Sequence, residues 1–109
     1  MKVERHRSDK GEYCCFSISN TYLSHKGAVR VVEKCPGGVE VLKRPKLFSG
    51  DNEFCVFQIN NIKFTIDVPW GDSSEYDIVC SKPDSAELEV LAKHFESHKV
   101  DPLSIARWV

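Results

Sequence analysis

Long apolar runs are missing from this 109-residue chain, and so is any pattern that would hold a catalyst or a cofactor. No stretch approaches the ~20 apolar residues of a membrane span. The opening MKVERHRSDKGE carries charges where a secretory leader needs an apolar segment, so a cytoplasmic protein without membrane contact is expected. There is no G-x-S-x-G elbow, no P-loop and no G-x-G-x-x-G. Without a motif that positions the roles of a reaction, neither enzyme activity nor a cofactor is expected. The five cysteines are odd in number, with Cys14 and Cys15 adjacent and Cys35, Cys55 and Cys80 scattered, and none forms a CxxC. Zinc ligands come in close pairs, so this spacing points instead to reduced, buried thiols lying in strands.

What is present suffices for a folded domain. A hydrophobic fraction of 41% and a charged fraction of 28% are ordinary for a globular chain, and this length buries enough surface to fold without staples. Residues 1–11 alternate charge with little apolar content and read as a mobile basic arm. Residues 12–109 read as one α+β domain. The net charge of −1 conceals a split. Residues 1–48 carry ten Lys/Arg against five Asp/Glu, and residues 49–109 carry five against eleven.

Period-two alternation predicts strands at about 12–22, 28–35, 39–43, 53–60, 62–68 and 74–80. In the first, Cys14, Phe16 and Ile18 share a face. Pro36, Gly37 and Gly38 make a chain reversal that would pair Cys35 with Val39, Lys34 with Glu40 and Val32 with Leu42. Asn60 and Asn61 suit a type I′ turn, because both tolerate the left-handed conformation. That turn pairs Ile59 with Ile62, Phe57 with Phe64 and Cys55 with Ile66 on one face, and Gln58 with Lys63 and Val56 with Thr65 on the other. A one-residue slip would expose the apolar set. Tyr76, Ile78 and Cys80 alternate in the sixth strand.

Residues 84–98 switch to helical period. Leu88, Leu91, Ala92 and Phe95 form one stripe, with Asp84 as N-cap and Glu87 closing a capping box. Asp101 and Pro102 would open a short helical C-terminus over 102–108. Six strands joined by short links and followed by a helix give a strongly bent antiparallel sheet, or partly closed barrel, covered by the C-terminal helix. This element order resembles the pleckstrin-homology superfold. The likeness implies an architecture and no function.

His94 and His98 lie on one helix face at the spacing of metal ligands, but "HFESH" lacks the glutamate of HExxH and a third ligand, so a polar flank is expected. The acidic run DVPWGDSSEYD lacks the order of an EF-hand loop. Its Trp70 is either a recognition knob or a plug folded over the end of the sheet. Nucleic-acid binding would use Arg5, Arg7, Lys43, Arg44 and Lys46 on phosphates, although a pI near 6.4 is low for such a domain. Protein association would use Trp70, Asp72, Glu75, Asp77 and Trp108, since tryptophan is enriched at hot spots and a positive and a negative half suit mutual pairing. Alternatively, the basic strands and the acidic helix face each other inside one fold. A small apolar ligand between sheet and helix would be lined by Phe57, Phe64, Ile66, Leu88 and Phe95. The expectation is a small non-enzymatic binding protein, accessory or inhibitor-like, that works through protein contacts as a homodimer. Nucleic-acid binding is the alternative.

Overall fold

A computed structural model describes residues 2–19, 24–43, 53–68 and 75–98. Among these are strands β1 (Val3–Arg7), β2 (Tyr13–Ser19), β3 (Val39–Lys43), β4 (Glu53–Ile59), β5 (Ile62–Asp67) and β6 (Glu75–Cys80). The helices are α1 (His25–Glu33) and α2 (Ala86–Ser97). The strands form one antiparallel sheet in the order β1-β2-β6-β5-β4-β3. It is strongly curled and does not close. Neither helix is long and apolar enough to cross a membrane.

The β4–β5 hairpin has the expected register throughout, with Asn60 and Asn61 at φ of 52° and 65° and Phe57 stacked on Phe64 at 5.1 Å. Both asparagines occupy the region that a type I′ turn demands. On α2, Leu88, Leu91, Ala92 and Phe95 are fully buried as one stripe. Phe95 meets Phe16 of β2 edge to face at 5.8 Å, which seats the helix on the sheet.

Other expectations are corrected. The stretch expected as a second strand over 28–35 is helix α1. Ser24 caps it by accepting a hydrogen bond from the Gly27 N–H at 3.0 Å. Ala28, Val31, Val32 and Cys35, all buried, recur at i, i+3, i+4 and i+7. Burial on a helical stripe thus overrides the strand preference of the valines. The reversal at Gly37 and Gly38, with φ of 111° and 75°, therefore joins a helix to β3. Val39 pairs with Ile59 and Glu40 with Gln58, not with Cys35 and Lys34. Cys35 is accordingly not in a strand. The inserted helix and open sheet also depart from the element order on which the pleckstrin-homology likeness rested.

Residues 3–7 are not a mobile arm but the outer strand β1, paired with β2 from Val3↔Ile18 to Arg7↔Tyr13. Only Val3 packs against the core, so apolar patterning carried no sign of it. The register shifts between His6 and Arg7 and leaves Cys14 as the extra residue of a β-bulge. Tyr13, rather than Cys14, is then buried beside Phe16 and Ile18.

The cap of α2 is Ser85, whose hydroxyl accepts from the Leu88 N–H at 3.2 Å, so Glu87 closes no capping box. Asp84 instead sits at φ 56°. Its N–H donates to the Tyr13 carbonyl at 2.7 Å and its Oδ1 accepts from the Tyr13 N–H at 3.0 Å. These two bonds clasp the start of α2 to the start of β2. On the other side, His94 Nε2 lies 2.7 Å from the Val31 carbonyl of α1. A carbonyl only accepts, so this nitrogen carries the hydrogen.

Candidate functional site

The two charged halves of the chain meet along the seam between β1 and α2. Alternation along β1 turns Val3, Arg5 and Arg7 toward the helix and Glu4 and His6 away from it. Glu89 and Glu96 are two helical turns apart on one face of α2. The Arg5 guanidinium bridges them, Nε to Glu89 Oε1 at 2.8 Å and Nη2 to Glu96 Oε1 at 2.7 Å. Hydrogen bonding to Arg5 holds the Glu96 carboxyl below its ordinary range, and the two glutamates raise Arg5 further above its own. Arg7 lies over the Tyr13 ring at 5.6 Å, donates to the Gly11 carbonyl at 3.2 Å and comes within 3.9 Å of Asp84. Burial first, and then the charge of Glu89, pushes the Tyr13 hydroxyl up to about 12. A surface cleft of about 350 Å³ runs along this seam, lined by Arg5, Arg7, Tyr13, Asp84, Ser85 and Glu89.

The opposite face of the sheet carries a hydrogen-bonded chain across three strands. Ser17 Oγ donates to Asp77 Oδ1 at 2.5 Å, and His6 Nε2 lies 2.6 Å from Ser17 Oγ. A hydroxyl has one proton, and Asp77 receives it; His6 is therefore the donor to Ser17. The three residue types are those of a hydrolytic triad, but the order is not. The serine proton goes to a carboxylate with no imidazole base behind it, and Ser17 is buried. This chain ties strands together. Beside it, burial first and then Asp77 push the Cys15 thiol up to about 12, so it stays protonated and a poor nucleophile. None of the five cysteines is in a disulfide, and burial likewise raises Cys35.

Of the residues singled out for nucleic acid, the described ones are not gathered. Arg5 and Arg7 sit on β1 against acids, whereas Lys43 ends β3 at the opposite edge of the sheet. Arg44 and Lys46 lie outside the described residues. Of the protein-contact residues, Glu75 and Asp77 belong to β6, deep in the strand order, and Asp77 is bound to Ser17. Trp70, Asp72 and Trp108 lie outside the described residues, as does the 102–108 helix. Phe57, Phe64, Ile66, Leu88 and Phe95 line neither cleft described here. They are fully buried members of the hydrophobic core.

His94 and His98 bring no metal cluster together among the described residues, and His94 spends its Nε2 on Val31. A second surface notch of about 260 Å³ lies at the far corner, between Pro36, Gly37, Ile59, Ala86 and Val90. The residues that sequence reasoning missed are Glu89, Glu96 and Asp84 as partners of β1, and Ser17 with His6. The spacing of Glu89 and Glu96 shows one acidic helix face, but no local pattern links it to an arginine at position 5. No protein-family model, curated protein or solved structure matches the chain.

Proposed function

We propose that this chain is a small non-enzymatic binding protein that acts through protein contacts and associates with a second copy of itself. The observation that carries the reading is the open sheet. Among the described residues β1 and β3 each pair with a strand on one side only, which makes them the outer strands of the sheet, where a further strand can join. An added strand satisfies such an edge, and main-chain pairing is a common mode of protein recognition. Two other readings lose their footing beside it. Phe57, Phe64, Ile66, Leu88 and Phe95, which an apolar ligand would have to part, belong to one buried core cluster. The arginines of β1 are already matched to Glu89, Glu96 and Asp84, which leaves their charge compensated before any phosphate arrives. Five cysteines outside any disulfide suit a reducing compartment, which supports a cytoplasmic protein.

Light scattering across a concentration series tests this. The expected result is a mass that rises from one chain to two. A single-chain mass at every concentration, with no partner protein bound, would sink the reading.

A further inference from the structure

We propose that β1 is an exchangeable strand, and that two copies of the chain associate by trading it, each β1 completing the β2 edge of the other. The inference rests on the self-association proposed above and gives it a route by exchange, which leaves the outer strands in the same places. Its occupant needs no invention, because the surface that β1 leaves is one that β1 already fits. An exchanged strand would repeat the same register, Val3 opposite Ile18 and Arg5 opposite Phe16. It would repeat the same side-chain contacts, Arg5 between Glu89 and Glu96, His6 on Ser17, and Arg7 near Asp84. Strand exchange is a low-cost route to a dimer for this reason: the complementarity has been built by the fold.

β1 is also the strand best suited to leave. Apart from the half-buried Val3 its residues are exposed, and no residue of the buried core belongs to it. Its anchors are main-chain hydrogen bonds and ion pairs whose side chains remain 31–41% exposed at Arg5, Glu89 and Glu96. Ion pairs this exposed are screened by salt, so detachment leaves the Phe16–Phe95 core standing. The hinge is residues 8–12, closed by Ser8 N–H to the Glu12 carbonyl and Gly11 N–H to the Ser8 carbonyl, both at 2.8 Å, with Gly11 at φ 79°. Closed and exchanged forms make the same contacts everywhere except at this hinge. Hinge length and protein concentration therefore set the balance between them, and salt sets how fast it is reached.

Two variants test the exchange. His6 stands directly opposite Cys15, so His6→Cys in a Cys14→Ser background places two thiols across the β1–β2 pair. The chain is equilibrated at high concentration in salt, returned to low salt, oxidised and run without reductant. Exchange predicts a covalent dimer that reductant dissolves and whose share grows with the starting concentration. Intramolecular disulfide in a chain that light scattering shows to be dimeric overturns the exchange and leaves the association standing. A chain that is monomeric throughout overturns both. Independently, deleting Asp9 and Lys10 leaves a hinge too short to turn back, and should raise the dimer fraction at least tenfold. A monomer–dimer balance unchanged by that deletion also overturns the proposal.

Discussion

Arg5 and Glu89 stand 84 residues apart in the chain and 2.8 Å apart in the fold. That contact, doubled by Arg5 with Glu96, is where the basic beginning of the chain meets its acidic end. The charge split therefore works inside the molecule. It docks an outer strand that has almost no apolar surface of its own.

Replacing Arg5 by Ala should loosen β1 and little else. Because the pair is partly exposed, the expected effect is about a threefold to tenfold faster amide exchange over residues 3–7, with core amides unchanged. Acid should act in the same direction. The folded value of Glu96 lies below its unfolded one, so the contact is fully present above the unfolded value and is lost as pH falls through the folded one. Hydrogen exchange with intrinsic rates removed checks both. Protection of β1 that ignores Arg5→Ala and acid alike would show the seam to be decorative.

Phe95→Ala should cost about 3–5 kcal/mol, since it opens a void under Phe16 that the surrounding sheet fills only in part. Denaturant unfolding measures it. A loss under ~1 kcal/mol would mean a core loose enough to hold a ligand after all.

Asp84 combines a left-handed backbone with an acceptor for the Tyr13 N–H. Asp84→Asn keeps both and should be nearly neutral. Asp84→Gly keeps only the conformation and should lose about 1 kcal/mol, while Asp84→Ala loses both features and should cost about 2–3 kcal/mol. A ranking with Ala above Gly would remove the backbone argument.

How legible these features were in the sequence follows the physics of each. The β4–β5 hairpin could be read residue by residue, because Asn60 and Asn61 fix the turn and alternation fixes the register. The stripe of α2 was equally plain. Helix α1 reads as a strand because Val29 and Val31 alternate with Arg30, and Val29, Val31 and Val32 branch at Cβ, both strand signals. Ser24 followed by apolar residues at 28, 31, 32 and 35 is the helical signal that outweighs them. β1 was beyond local reading. Four of its five residues are exposed, and the acids that hold Arg5 lie more than 80 residues away, so β1 leaves no periodic trace. The candidate site shared that fate, since its acids and its arginine are joined only by the path of the sheet.

His25 carries the last prediction. Its ring stacks on Phe54 at 4.0 Å and meets Tyr76 edge on at 5.5 Å. Burial there lowers its pKa from the ordinary 6.5, and burial followed by the charges of His94 and Lys34 lowers that of His98. The folded state thus binds fewer protons than the unfolded state in the window just below 6.5. Stability should be fully present above that value and fall as pH drops through the lowered folded values. Denaturant midpoints between about pH 8 and 5 should show this decline. His25→Phe, which keeps a flat ring on Phe54, should flatten it, and adding His98→Gln should flatten it further. An undiminished slope in the double variant would place the titrating group elsewhere and leave the His25–Phe54 stack with no part in the pH response.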